Sequence, residues 1–284
     1  MMRWNVGAVT ITKVVELEVT GGSRFLLPQA TPETILPIAW LRPHFADDEG
    51  RLRMSIHAFV IETPACRIVI DTCLGNDKQG RRIPGWNDLH TPFLADLAAA
   101  GYPRESIDTV LCTHLHVDHV GWNTKLENGR WVPTFPRARY LFSEREYAYW
   151  AEQNAKAPIA CIEDSVIPIM EAKRADLVSS SHAVNDHVRL IPTPGHTPDH
   201  FAVELGRGGT AAILTGDLIH SPLQARHPEL SMRADTDPEQ GSKTRRSFLE
   251  RVCEGRTLCC TAHFPSPSLT RFTRWGDGFR CEPA

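Results

Sequence analysis

A chain of 284 residues with 42% hydrophobic and 23% charged side chains has ordinary globular usage, which excludes a disordered chain or a fibre. Its formal net charge of -3 lacks the basic excess that phosphate backbones attract, so nucleic acid is a poor first partner. The length fits one compact α/β or sandwich unit, residues 1–284 read as a single domain.

In chain order, Val6–Val19 is rich in Val, Ile and Thr with partial polar alternation, which predicts a half-buried strand. Charges at Arg3, Lys13, Glu16 and Glu18 break up the apolar residues of the start, and no stretch approaches the roughly eighteen apolar residues of a membrane helix. The expectation is a soluble, cytoplasmic protein with no membrane partner. Residues 21–52 hold four prolines and the apolar run Ile35–Leu41, too long for a tight turn. They are read as an arm or lid insertion or a homodimer contact, or equally as a surface segment tucked onto the core.

Met54–Glu62 and Arg67–Asp71 predict a pair of strands, with Thr63–Cys66 connecting them. Asn87–Gly101 has helical apolar spacing and stops at a glycine with Pro103 beyond, and Ile107–Cys112 reads as a strand. Ser143–Ala155 is a helix opened by Ser143 with Glu146 three residues on, a capping box. Asp186–Pro192, Thr210–Gly216 and Arg256–Ala262 read as strands, and Pro238–Gly255 as a helix introduced by Asp237. Eight cysteines without a C-x-x-C pair, in a chain too long to need staples, read as reduced thiols.

The chemistry concentrates in Thr113-His114-Leu115-His116-Val117-Asp118-His119-Val120-Gly121, placed directly after a strand. In a tight loop His114 and His116 alternate towards one side while Asp118 and His119 begin the next turn, so four ligand-type side chains converge within six positions. Three single ligand-type residues follow at later strand ends: His196 in Pro-Gly-His-Thr-Pro, Asp217 in Thr-Gly-Asp and His263 in Thr-Ala-His-Phe. His114, His116 and His196 would hold one metal, Asp118, His119 and His263 a second, and Asp217 would bridge them. His200 and His227 have no motif support and read as structural or exposed. Trp122 and Phe264, beside ligands, are candidates for an apolar pocket wall, as are Trp40, Phe45 and Trp86 in loops.

The ordered set Asp71, His114-x-His116-x-Asp118-His119, His196, Asp217, His263 resembles the metallo-β-lactamase superfamily over nearly the whole chain. The resemblance implies an α/β fold, an αββα sandwich of two mixed sheets packed face to face with helices outside. It implies two divalent ions, for which zinc suits the ligands and manganese, iron or cobalt would also fit. It implies Asp71 behind His116 or its neighbour, orienting a ring through the nitrogen the metal does not use.

Within the superfamily, a histidine rather than an acid at 116 disfavours the flavin-linked di-iron relatives, and Asp217 disfavours the β-lactamases with a cysteine ligand. The Gly121-Trp122-Asn123 and Gly216–His220 stretches look more like the N-acyl homoserine lactonase and methyl parathion hydrolase branch. The expected activity is opening of a lactone or cleavage of a related ester by a hydroxide bridging the two metals, with Asp118 passing the proton to the leaving oxygen. An aryl ester or organophosphate triester hydrolase and a glyoxalase II-like thioesterase are the alternatives. His220 stands where some lactonases of the branch carry tyrosine, and reads equally as a catalytic donor to the substrate or as a packing residue.

Overall fold

The computed structural model describes residues 2–283, with Met1 and Ala284 outside them. The chain is mixed α/β and divides into two compact units, residues 1–16 with 56–182 and residues 17–55 with 183–284. Two seven-stranded mixed sheets account for most strands.

The first sheet has the order β1-β2-β3-β4-β5-β8-β9, where β1 is Met2–Val6, β2 Val9–Thr20, β3 Arg53–Glu62, β4 Arg67–Ile70, β5 Thr109–Leu111, β8 Arg139–Ser143 and β9 Ala175–Val178. β6 (Thr124–Glu127) and β7 (Arg130–Pro133) form a separate hairpin. The expected strand over Val6–Val19 is present as β2, starting at Val9, and β1 precedes it, because Gly7 takes a φ of +60° and turns the chain so that Val6 pairs with Val9. The expected β3–β4 pair is present and antiparallel, with Phe59 opposite Ile70. From β4 onward the pairing is parallel. Ile68, Val69 and Ile70 are all buried, the unbroken apolar run that a strand covered on both faces requires.

The helix expected from Asn87 begins only at Phe93 and runs to Ala99. The Asn87 side chain is engaged in closing a turn, accepting from the Arg81 amide and donating to the Arg81, Ile83 and Pro84 carbonyls. Glu144–Lys156 is helical as expected, and Ser143 Oγ accepts from the Glu146 amide at 3.3 Å.

The second sheet has the order β10 (Ala183–Asn185), β11 (Val188–Pro192), β12 (Phe201–Leu205), β13 (Ala212–Leu214), β14 (Leu258–Cys260), β15 (Leu269–Trp275) and β16 (Gly278–Pro283). Only β13 and β14 run parallel, and the crossover joining them carries the helices Pro222–Arg226 and Pro238–Val252. Asp237 caps the second of these by accepting from the Gln240 amide. Within this unit the 21–52 segment buries Leu27, Ile35, Leu41, Phe45 and Leu52 in one core with Leu223, Phe248, Leu249 and Phe272. At about 1.5–3 kcal/mol for each fully buried large apolar side chain, that packing firmly ties the segment to the unit. All eight cysteines are free thiols, and six of them are buried.

Candidate metal centre

In the first unit the H-x-H-x-D-H motif leaves the carboxyl end of β5. His116 ends the extended stretch, and the one-turn helix Val117–Val120 begins immediately after it. The turn is tight because Gly121 lies against the chain at Leu74, where a Cβ on it would stand 1.9 Å from the Leu74 carbonyl carbon. Only glycine permits that approach. The His114 ring centroid lies 4.6 Å from that of His116 and 4.1 Å from that of His119.

Behind them Asp71, at a φ of +56° after β4, accepts from the Thr113 amide at 2.8 Å and from the Thr113 hydroxyl, and its Oδ2 lies 3.0 Å from Nδ1 of His119. The ring it orients is therefore that of His119, not that of His116. Asp118 is the more exposed acid of the group, with its Oδ1 3.8 Å from Nε2 of His119.

In the second unit His196, Asp217, His220 and His263 gather from three strand ends. Nε2 of His263 lies 3.0 Å from Asp217 Oδ1, while Nε2 of His220 and of His196 lie 3.0 and 3.3 Å from Oδ2. The His220 and His263 rings are stacked, with planes 3° apart and centroids 5.4 Å apart. Ligand atoms of Asp217, His220 and His263 all fall within 4.8 Å of one another, and all three side chains are buried. The Pro194-Gly195-His196 turn is held by a close approach: a Cβ on Gly195, whose φ is +132°, would meet the Gly241 amide nitrogen at 2.2 Å.

The donor set fits a divalent cation. Nδ1 of His196 faces Asp235 Oδ1 at 2.7 Å, Nδ1 of His263 faces the Ser55 carbonyl at 3.1 Å, and Nδ1 of His119 faces Asp71. A neutral ring that gives its Nδ1 proton to the acceptor behind it turns an Nε2 lone pair inward, the tautomer that binds metal. In the second unit those lone pairs would meet carboxylate oxygens at about 3 Å, an arrangement that needs positive charge. Burial disfavours the imidazolium of His196, but Asp217 and Asp235 outweigh it and push its pKa up to about 9. Burial moves His220 the other way, below its ordinary value. A divalent ion held by these residues would supply the missing charge with every ring neutral.

Two supporting residues escaped the motif reading. Asp235, 39 residues from His196, also accepts the Met232 amide at 2.8 Å and is buried. His200 accepts the Asp217 amide on Nε2 at 2.9 Å and pairs through Nδ1 with the Thr193 hydroxyl, so its structural reading holds, though it acts on a ligand residue. No motif marks either one, because both partnerships are made by the fold.

The aromatic residues divide in the same way. Trp122 is engaged in the interior, stacked on Phe93 and donating to Glu16 at 2.7 Å, and Phe264 packs edge-on against Phe45 in the core of the second unit. Trp150, half-buried on the helix Glu144–Lys156, lies 5.3 Å from the ring of His116 and is fixed by its Nε1 donating to Glu146 at 2.7 Å. Tyr149 packs edge-on beside it.

Residues 51–263 match the family described as the Metallo-beta-lactamase superfamily, and the chain belongs to it. Among curated relatives it is similar to an N-acyl homoserine lactonase of Bacillus cereus, 24% identical over 184 residues, covering 60% of this chain and 66% of the relative. It is similar also to N-acyl homoserine lactonase AiiA of Bacillus thuringiensis subsp. kurstaki, 23% identical over 203 residues, covering 64% and 74% of the two chains. The chain thus spans about two thirds of the length of the lactonases it matches. Among solved structures, hydrolase AbOPH of the beta lactamase superfamily superposes with a TM-score of 0.80 at 24% identity over 99% of this chain and 96% of that one. AidC, a dizinc quorum-quenching lactonase in complex with a product, does so with a TM-score of 0.80 at 20% identity over 100% and 97%. These two likenesses establish the fold.

Proposed function

We propose that the protein is a dinuclear metal-dependent hydrolase that opens a lactone or cleaves a related ester. His114, His116 and His196 would hold one divalent ion, Asp118, His119 and His263 the other, and Asp217 both. The observation that carries the reading is Asp217 with Nε2 of three buried imidazoles within 3.3 Å of its oxygens, two of them backed through Nδ1. Divalent ions bound by such a set supply a hydroxide nucleophile at neutral pH and an electrophile for the substrate oxygen. The lactonases among its relatives and structural neighbours support the ester class.

The chain's own groups do the rest. Asp118 takes the proton of the attacking water and returns it to the leaving oxygen. Asp71 and Asp235 fix the rings of His119 and His196. His220 would carry its proton on Nδ1, which has no hydrogen-bond partner among the described residues and is the donor it would offer to a substrate, leaving the Nε2 lone pair beside Asp217 for a bound cation.

The Trp150–His116 contact favours a substrate with a flat or apolar group, which keeps an aryl ester or organophosphate triester as the second reading. Steady-state hydrolysis of a long-chain acyl homoserine lactone, an aryl phosphotriester and a lactoyl thioester by zinc- or manganese-loaded protein tests both, with His116→Ala as the blank. Turnover of the lactone orders of magnitude above the others supports the first reading, and preference for the phosphotriester the second. All three at blank level would overturn the substrate class, and fewer than two ions per chain by metal analysis the dinuclear site.

A further inference from the structure

Within the second unit lies a cleft of about 520 Å³ that includes none of the metal-type residues. It is lined by the 34–40 stretch, ending at Trp40, by Trp275 and Arg280 of the β15–β16 hairpin, and by Arg226 and His227 at the end of the helix Pro222–Arg226. The walls therefore include two indoles with Pro37 and Ile38, and the cations lining it are Arg226 and Arg280. Its dimensions lie within the range of small-molecule sites.

The cations are not equivalent. Arg226 holds Asp277 at 2.7 Å, and His227 lies 3.3 Å from Glu229. Arg280 has no carboxylate partner among the described residues. Its guanidinium carbon lies over the Trp275 ring, 5.3 Å from the centroid, and a guanidinium without a carboxylate partner can meet one in two parallel hydrogen bonds.

We propose that this cleft binds an amphiphilic carboxylate, with its acyl or aryl body between Trp40 and Trp275 and its carboxylate on Arg280. Apolar walls select the body, and the unpaired guanidinium selects the charge. The site does not depend on the hydrolase reading.

The test is a titration of ¹⁵N-tryptophan-labelled protein with octanoate, methyl octanoate and acetate, following the indole N–H signals assigned with Trp40→Phe, Trp275→Phe and Trp150→Phe. Octanoate should shift the Trp40 and Trp275 signals saturably, methyl octanoate at least tenfold more weakly, and acetate not at all. Arg280→Gln should weaken octanoate at least tenfold, and Arg280→Lys less. Equal responses to acid and ester, an unchanged affinity in Arg280→Gln, shifts confined to Trp150, or no shift at all would each overturn the proposal. So would sedimentation showing a dimer whose Trp275 signal ignores octanoate, since a second copy would then cover the cleft. Should Arg280→Gln fail to fold, the acid-against-ester comparison on the unaltered protein decides.

Discussion

Asp235 Oδ1 lies 2.7 Å from Nδ1 of His196, and its other oxygen accepts the Met232 amide, so this carboxylate sets the angle of a ring whose far nitrogen faces Asp217. Asp235→Asn keeps the shape and removes the charge. It should lower affinity for one zinc ion by roughly 10–100-fold, the usual cost of losing a partner behind a metal-binding histidine. Competition with a chromophoric chelator measures this, and an unchanged affinity would detach Asp235 from the site.

Removal of metal should lower the melting temperature. Several carboxylates and imidazoles lie close together in the interior of the second unit, and a cation binding only the folded state at 100 times its Kd adds about 2.7 kcal/mol. Calorimetry of chelator-treated protein with and without added zinc should show a rise of several degrees on loading. The rise should shrink in His263→Ala. Equal shifts in the two proteins would mean that the ion binds elsewhere.

Lys78 governs a stretch of the pH–stability curve. Its ammonium is fully buried: burial pushes its pKa down from 10.5 to about 7, Asp164 opposes the shift and Arg81 adds to it. Between pH 7 and 10.5 the unfolded chain therefore holds a proton that the folded chain lacks, and stability rises with pH through that window, by up to about 1.4 kcal/mol per pH unit from this group. Below pH 7 both states are protonated and the contribution is flat. Urea unfolding of the wild type and Lys78→Met at pH 6, 7.5 and 9 should give a stability difference that shifts in favour of the wild type as pH rises. The opposite sign would show that Lys78 stays charged.

Glu16 is a structural carboxylate in the interior of the first unit. It accepts from the Leu74 amide at 2.7 Å, the Gly75 amide at 3.3 Å, the Trp122 indole at 2.7 Å and the Thr91 hydroxyl at 3.1 Å, and burial raises its pKa despite these donors. Glu16→Ala leaves four donors without their acceptor at roughly 1–3 kcal/mol each before relaxation, so a loss of about 3 kcal/mol or more is expected in denaturant titration. Glu16→Gln keeps one acceptor oxygen and should cost less. A loss below 1 kcal/mol for the alanine variant would mean that water replaces the carboxylate.

The sequence by itself determined what is written locally. The H-x-H-x-D-H run after a short apolar strand, the turn residues around His196 and Asp217, and the Ser143 and Asp237 caps all depend on neighbours a few residues away, and each is visible in residue order.

What only the tertiary structure decided are pairings over long separations. Asp71 could be placed behind the motif from sequence, yet which ring it holds depended on how the chain turns at Gly121. Asp235 and His200 carry no motif, since a hydrogen bond between strand-end loops leaves no periodicity. Trp122 and Phe264 sit beside ligand residues in the chain but point into packed interiors, while Trp150, more than thirty residues from His116, stands on its ring. Adjacency along a chain constrains the backbone. The direction of a side chain is settled by the surface its element must bury.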